Sequence, residues 1–267
     1  HEVLGSVTEF CFERALEQAK ESDARRSKGL PVRVLEGLPC SLKDQVVAKG
    51  CLSTCGVVGL AGEDRRAVED GALADWLMRG CGAVVVARTV TPQALLVPES
   101  QSELWGVSKN PFSSDHVSGG SSGGEAALVG ARCVAFGIGG DIGGGLRIPA
   151  AFCGVYTLKC TDLRIPKRGV VTFHGNDHVS GVMGPLCRSA RDVGLLLHAL
   201  TRGQHCDPLT VPLPWREELV AEQRGKAKLR IGVIPDDGFF HPTPPCQAAL
   251  QDTIECLESQ GHEVISL

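Results

Sequence analysis

An excess of positive charge, a long apolar run, closely paired cysteines and a phosphate-cradling glycine loop are all missing from this chain of 267 residues. Lys and Arg number 27 against 31 Asp and Glu, a net charge of −4, so no basic surface is offered to nucleic acid and no polyanionic partner is expected. No apolar stretch approaches the ~18–20 residues that a membrane-spanning helix needs. The chain begins at His1 with neither an initiator Met nor a signal peptide, so a trimmed N-terminus is expected. There is no internal repeat and no long low-complexity linker. With 43% hydrophobic and 22% charged residues, the composition is that of an ordered globular protein. At roughly 100–200 residues per domain, one large α/β unit is the simpler reading.

What is present includes twelve cysteines, scattered from Cys11 to Cys256. Such spread suits buried free thiols in a reducing, cytosolic setting better than a secreted disulfide framework. Cys51/Cys55 and His174/His178 can be written as a Cys2His2 zinc site, but the tighter C-x2-C or C-x2-H spacing of stronger zinc signatures is missing. No metal and no cofactor is expected.

Apolar positions at helical spacing predict an amphipathic helix from Glu9 to Arg26, about residues 8–26. The segment Cys40-Ser41-Leu42-Lys43-Asp44 with Val46-Val47-Ala48, closed by Gly50, predicts a strand with Lys43 inside it. A helix is expected over 62–80, then a buried strand at Ala83–Ala87. A helix ending at Leu195–Leu200, a strand at Leu229–Ile234, a helix at Pro245–Gln260 and a strand at Glu263–Leu267 complete an α/β pattern with parallel strands. The expected architecture is a central twisted mixed, largely parallel sheet with helices on both faces.

Residues 118–147 are unusual. Ser118-Gly119-Gly120-Ser121-Ser122-Gly123-Gly124-Glu125 runs into an alanine-rich stretch, read as a loop feeding a buried helix, and Cys133–Phe136 reads as a strand. A second glycine run, Gly137 to Gly145, follows. Glycine-rich loops at strand ends let backbone N–H groups converge on an anion or oxyanion. No G-x-x-x-x-G-K-[ST] motif occurs, which argues against a nucleotide.

These stretches, with Asp141-Ile142-Gly143-Gly144, Arg147, Pro149, Phe152-Cys153-Gly154 and Leu158-Lys159, resemble the signature region of the amidase signature family of serine hydrolases. Gly37-Leu38-Pro39-Cys40-Ser41-Leu42-Lys43-Asp44 looks like the segment carrying that family's catalytic lysine, and Gly184-Pro185-Leu186 with Arg188-Ser189 looks like a later helix start. Ser41-Leu42-Lys43 and the run at 212–218 point to the fatty acid amide hydrolase branch. The resemblance implies amide hydrolysis by a Ser, cis-Ser, Lys triad, with Lys43 as general base and Ser121 as the cis-serine proton relay. It implies an oxyanion hole of the Ile142, Gly143, Gly144 and Gly145 amides, supported by Gly120, Ser122, Asp141 and Arg147. Asp141 and Arg147 are expected to pair and tie the loop down.

The departure is at Gly145, which occupies the nucleophile position and offers no hydroxyl; Gly140 and Cys160 also differ from the family's usual residues. An amidase fold with severely impaired chemistry is therefore expected, hydrolysing carboxylic or fatty acyl amides weakly or not at all. Direct attack by Ser121 or Ser122, or by a water activated through Ser121, would be a way around the loss. The alternative is a pseudoenzyme that binds amide or lipid ligands, or a protein partner, without turnover. The implied domain is partial, with a core over 31–200, further elements over 201–267 and its C-terminal part missing. An open sheet edge would favour a homodimer or a missing C-terminal fragment as partner. To the cytoplasmic setting expected from the cysteines, the likeness to the fatty acid amide hydrolase branch adds peripheral contact with an intracellular membrane.

Overall fold

The computed structural model describes residues 3–172, 178–226 and 228–267. The chain divides into two compact units, residues 1–214 and 215–267. In the first, β1 (Val7–Phe10), α1 (Phe12–Ser27), β2 (Pro39–Lys43), the short α2 (Ala72–Asp75) and β3 (Val84–Thr89) come first. Two small antiparallel ladders follow, β4 (Gln101–Ser102) with β5 (Gly106–Val107) and β6 (Lys109–Asn110) with β7 (Ser113–Val117). Then come α3 (Gly123–Gly130), β8 (Phe136–Asp141), α4 (Arg147–Phe152), β9 (Tyr156–Thr157), β10 (Val182–Cys187) and α5 (Ala190–Thr201).

Six strands form a mixed sheet in the order β1-β3-β2-β8-β10-β9. The three central strands run parallel, with Leu42 of β2 beside Arg88 of β3 and Ile138 of β8, and the outer pairings are antiparallel. A central strand is buried on both faces, so its residues need not alternate in polarity. Cys40 and Leu42 point one way into apolar packing, while Ser41 and Lys43, two apart, share the opposite face under α3. Helix α3 is buried over Gly123–Val129, which explains its Ala-Ala-Leu-Val composition, and it packs on β8 and β2.

The second unit holds α6 (Glu217–Arg224), β11 (Arg230–Val233), α7 (Pro244–Ser259) and β12 (Glu263–Ser266). The two strands pair in parallel, Arg230 beside Glu263 and Val233 beside Ser266. None of these four elements contains a buried residue.

Three expectations change. Residues 7–10 are a strand and not the first turn of a helix, because Val7, Glu9 and Phe10 pair with Thr89, Arg88 and Ala87, a distant contact that overrides local periodicity. The predicted strand through Val46–Ala48 stops at Lys43, where the chain turns at Asp44. Of the helix over 62–80 only the last part forms, and Asp70 instead receives Arg14 and the Lys49 amide.

Candidate active site

The parallel strands β2, β3 and β8 end at one edge, where Lys43, Thr89 and Asp141 are their last residues. In open α/β sheets this carboxyl edge is where ligands bind. A cavity of about 350 Å³ opens there, and its wall includes Lys43, Ser121, Asp141 and Ile142 with Leu95 and Met183.

The serine and glycine loop that enters α3 is held at every turn. Gly119 has φ +77°, a conformation that favours glycine, and the Gly120–Ser121 peptide is cis. Ser118 Oγ donates to Ser108, the Gly123 amide donates to Ser100 Oγ at 2.8 Å, and Ser122 Oγ both accepts from the Gly140 amide and donates to the Gly140 carbonyl at 3.1 Å. Ser121 Oγ is thereby set 2.7 Å from Lys43 Nζ, which also lies 3.5 Å from the Gly140 carbonyl.

Lys43 is 1% exposed. Burial disfavours its ammonium and brings the pKa from 10.5 to about 7, although Cys55, Glu125, Asp141 and Asp44 pull the other way. Beneath it Glu125 is fully buried and accepts hydrogen bonds from Ser41 Oγ at 2.5 Å and Thr89 Oγ1 at 2.6 Å. Burial raises its carboxyl to about 7, against the opposing pull of those hydroxyls, Arg88 and Lys43. Arg88, also fully buried, donates to the carbonyls of Val46 and, at 2.6 Å, of Asp44, fixing the turn that follows Lys43.

Asp141 organises the second glycine segment. Its carboxylate accepts from the amides of Gly144 at 2.8 Å and Leu146 at 3.1 Å, and forms a two-pronged pair with Arg147, Nε to Oδ2 at 2.9 Å and Nη2 to Oδ1 at 3.0 Å. Burial alone would raise its pKa, but Arg147 and the amides outweigh it and hold the carboxyl near 2. The Gly144 amide is thus committed inward. Among the described residues no acceptor takes the amides of Ile142, Gly143 or Gly145.

Gly145 closes the constellation. A Cβ built on it would stand 2.9 Å from Ser121 Oγ and would collide with the Gly140 carbonyl oxygen. Lys43 Nζ, Ser121 Oγ and the Cβ position of residue 145 therefore follow one another at hydrogen-bond spacing, with Ser122, Asp141 and Arg147 bracing the two loops. Sequence reading assigned no role to Ser41, Thr89, Glu125 or Arg88. The available signal was Ser41 standing two residues before Lys43 on a strand, which puts both on one face.

The first half of the second glycine run is not a loop. Gly137 to Gly140 belong to β8, in the centre of the sheet, and the strand starts at Phe136, later than the Cys133 expected. A Cβ on Gly137 would strike the Glu125 carboxylate and one on Gly139 would lie 2.6 Å from Ser122 Oγ, so glycine is what lets α3 lie this close. Cys51 and Cys55 gather no metal set: among the described residues no three His, Cys, Asp or Glu side chains converge, and His174 lies outside the described residues. No helix among the described residues is long and apolar enough to cross a membrane.

The family model that matches, over residues 1–267, is that of the amidases. Amidase 1 of Gibberella moniliformis is 35% identical over 269 residues, covering 99% of this chain and 51% of the relative. The vitamin D3 hydroxylase-associated protein of Gallus gallus is 33% identical over 252 residues, 93% of this chain and 52% of the relative. A solved fatty acid amide hydrolase superposes with a TM-score of 0.90 at 32% identity, over 100% of this chain and 47% of its own. The chain spans about half the length of these relatives.

Proposed function

The chain belongs to the amidase family, and from that premise we propose that its cavity receives a carboxylic or fatty acyl amide against Lys43 and Ser121, with hydrolysis severely impaired because Gly145 brings no nucleophile. The observation that carries this is the line from Lys43 Nζ to Ser121 Oγ at 2.7 Å and on to the Cβ position of residue 145 at 2.9 Å.

A lysine neutral above about pH 7 can accept a proton, and a hydroxyl between two partners can pass one on. With a serine at 145, its proton would move to Ser121 while the Ser121 proton moves to Lys43, and its Oγ would attack the amide carbon. The developing oxyanion would meet the open amides of this loop, where pre-set donors act most strongly. Glycine deletes the attacking atom while leaving base, relay and loop in place. Loss of such a nucleophile costs about 10⁶ in rate.

The retained cavity also favours a second reading, ligand binding without turnover. Leu95, Ile142 and Met183 supply apolar wall beside the polar Lys43 and Ser121, the mixture that suits an amide with a hydrocarbon arm.

The test is hydrolysis of an aryl amide and a fatty acyl amide, with fluorophosphonate labelling, by the chain and by its Gly145→Ser variant. Turnover and labelling at 145 in the variant alone is the expected result. The new side chain must displace the Gly140 carbonyl, so the variant should also lose roughly 1–3 kcal/mol of stability. Labelling of the unsubstituted chain at Ser121 or Ser122 would make one of those the nucleophile. Amide binding by both proteins with turnover in neither would support the ligand-binding reading.

A further inference from the structure

Far from Ser121 in sequence, two thiols meet where β1 runs into α1. Cys11 Sγ and Cys51 Sγ lie 3.8 Å apart. Two polar links hold their backbones together on either side. The Glu9 carboxylate accepts from the Leu52 amide at 2.9 Å, and Arg14 Nη1 donates to the Lys49 carbonyl at 3.2 Å. Each cysteine is about 9% exposed, yet Phe10, Phe12, Lys49 and Gly50 beside them are all exposed, so the pair lies one residue below the surface.

We propose that Cys11 and Cys51 are a site of reversible oxidation, forming a disulfide when the chain meets a hydroperoxide. A disulfide needs sulfurs at about 2.0 Å, and the two sulfurs here already stand 3.8 Å apart.

The electrostatics divide the roles. The contact with Cys11, with Arg88 and Arg14 nearby, brings Cys51 down to about 7 against burial and the Glu9 charge. That same contact, with burial, pushes Cys11 up. Cys51 is the attacking thiolate: its sulfur takes one peroxide oxygen, the O–O bond breaks, and the departing hydroxide is protonated to water. The Cys11 sulfur then attacks the sulfur of the Cys51 sulfenic acid, the S–O bond breaks, and a second water leaves with the Cys11 proton. Two thiols are oxidised to one disulfide and one hydrogen peroxide is reduced to two waters.

The two cysteines are 40 positions apart, with β2 and Lys43 between them. The bond would close a ring around the strand that carries the candidate base and fasten α1 to the turn that Arg88 holds. The inference is independent of any hydrolytic activity.

The test exposes the full chain to hydrogen peroxide with and without dimedone, blocks residual thiols by alkylation, and maps the peptides without reduction. The expected result is a Cys11–Cys51 linked peptide lighter by two hydrogens, reversed by dithiothreitol, and absent from Cys11→Ser and Cys51→Ser. Cys11→Ser should instead accumulate the dimedone adduct on Cys51. Linkage or adduct formation mainly at the exposed Cys133, Cys246 or Cys256, or no Cys11–Cys51 peptide, would overturn the proposal. The unsubstituted chain decides the matter even where a variant fails to fold.

Discussion

Lys43 takes its chemistry from its address, the last residue of a strand buried on both faces. An exposed lysine would stay protonated to about pH 10; here burial brings it to about 7. Two consequences follow in opposite experimental settings. In Gly145→Ser, amide hydrolysis should rise with pH through about 7 as Lys43 loses its proton, and Lys43→Ala should remove that rise and lower the rate by about 10²–10⁴. A pH–rate profile of the two variants checks this, and a profile unchanged by Lys43→Ala would remove lysine from the base position. For stability, the unfolded chain binds a proton that the folded chain refuses between about 7 and 10.5, so this group's contribution to stability rises with pH across that window. Lys43, Ser121 and the Asp141–Arg147 pair were legible because a long ordered motif carries them. Glu125 and Arg88 were not, because charged residues are ordinarily solvated and nothing local announces that Ser41, Thr89 and three backbone carbonyls will meet them in the core.

At the scale of elements, legibility followed how local the determining physics is. Helix α7 was read within a residue at each end, since Pro244 and Pro245 suit a first turn and Gly261 ends the run. Strand β1 was misread, because its partner lies in β3, far along the chain. Strand β8 was read as loop because its residues carry no pattern at all; its place is set by what glycine permits α3 to do. That account makes a contrast testable by urea denaturation. Gly137→Ala thrusts a methyl at the Glu125 carboxylate and should cost roughly 1–3 kcal/mol. Gly143→Ala, with no atom within 4 Å of the new Cβ, should stay within about 0.5 kcal/mol of the parent. Equal costs at the two positions would refute close approach as the reason for the glycine strand.

Across the whole molecule the two units differ in how they are filled. Residues 1–214 contain the mixed sheet and the buried apolar cluster around Ala126, Val129, Leu146 and Leu186. In residues 215–267 no element has a buried residue, and Phe239 and Phe240 are about three-quarters exposed. Paired exposed aromatic rings of this kind recruit hydrophobic dye. A chain carrying Phe239→Ser and Phe240→Ser should therefore bind less 8-anilinonaphthalene-1-sulfonate than the parent, a comparison of fluorescence at equal concentration. The meeting of the Gly140 carbonyl with position 145 matters on a different timescale. That oxygen is also the acceptor for Lys43 and Ser122, so any residue larger than glycine at 145 must rearrange three groups at once. For a lineage, a serine placed at this codon would therefore arrive together with an adjustment of the loop, so gain of a hydroxyl beside Ser121 and a small loss of stability are expected from one and the same substitution.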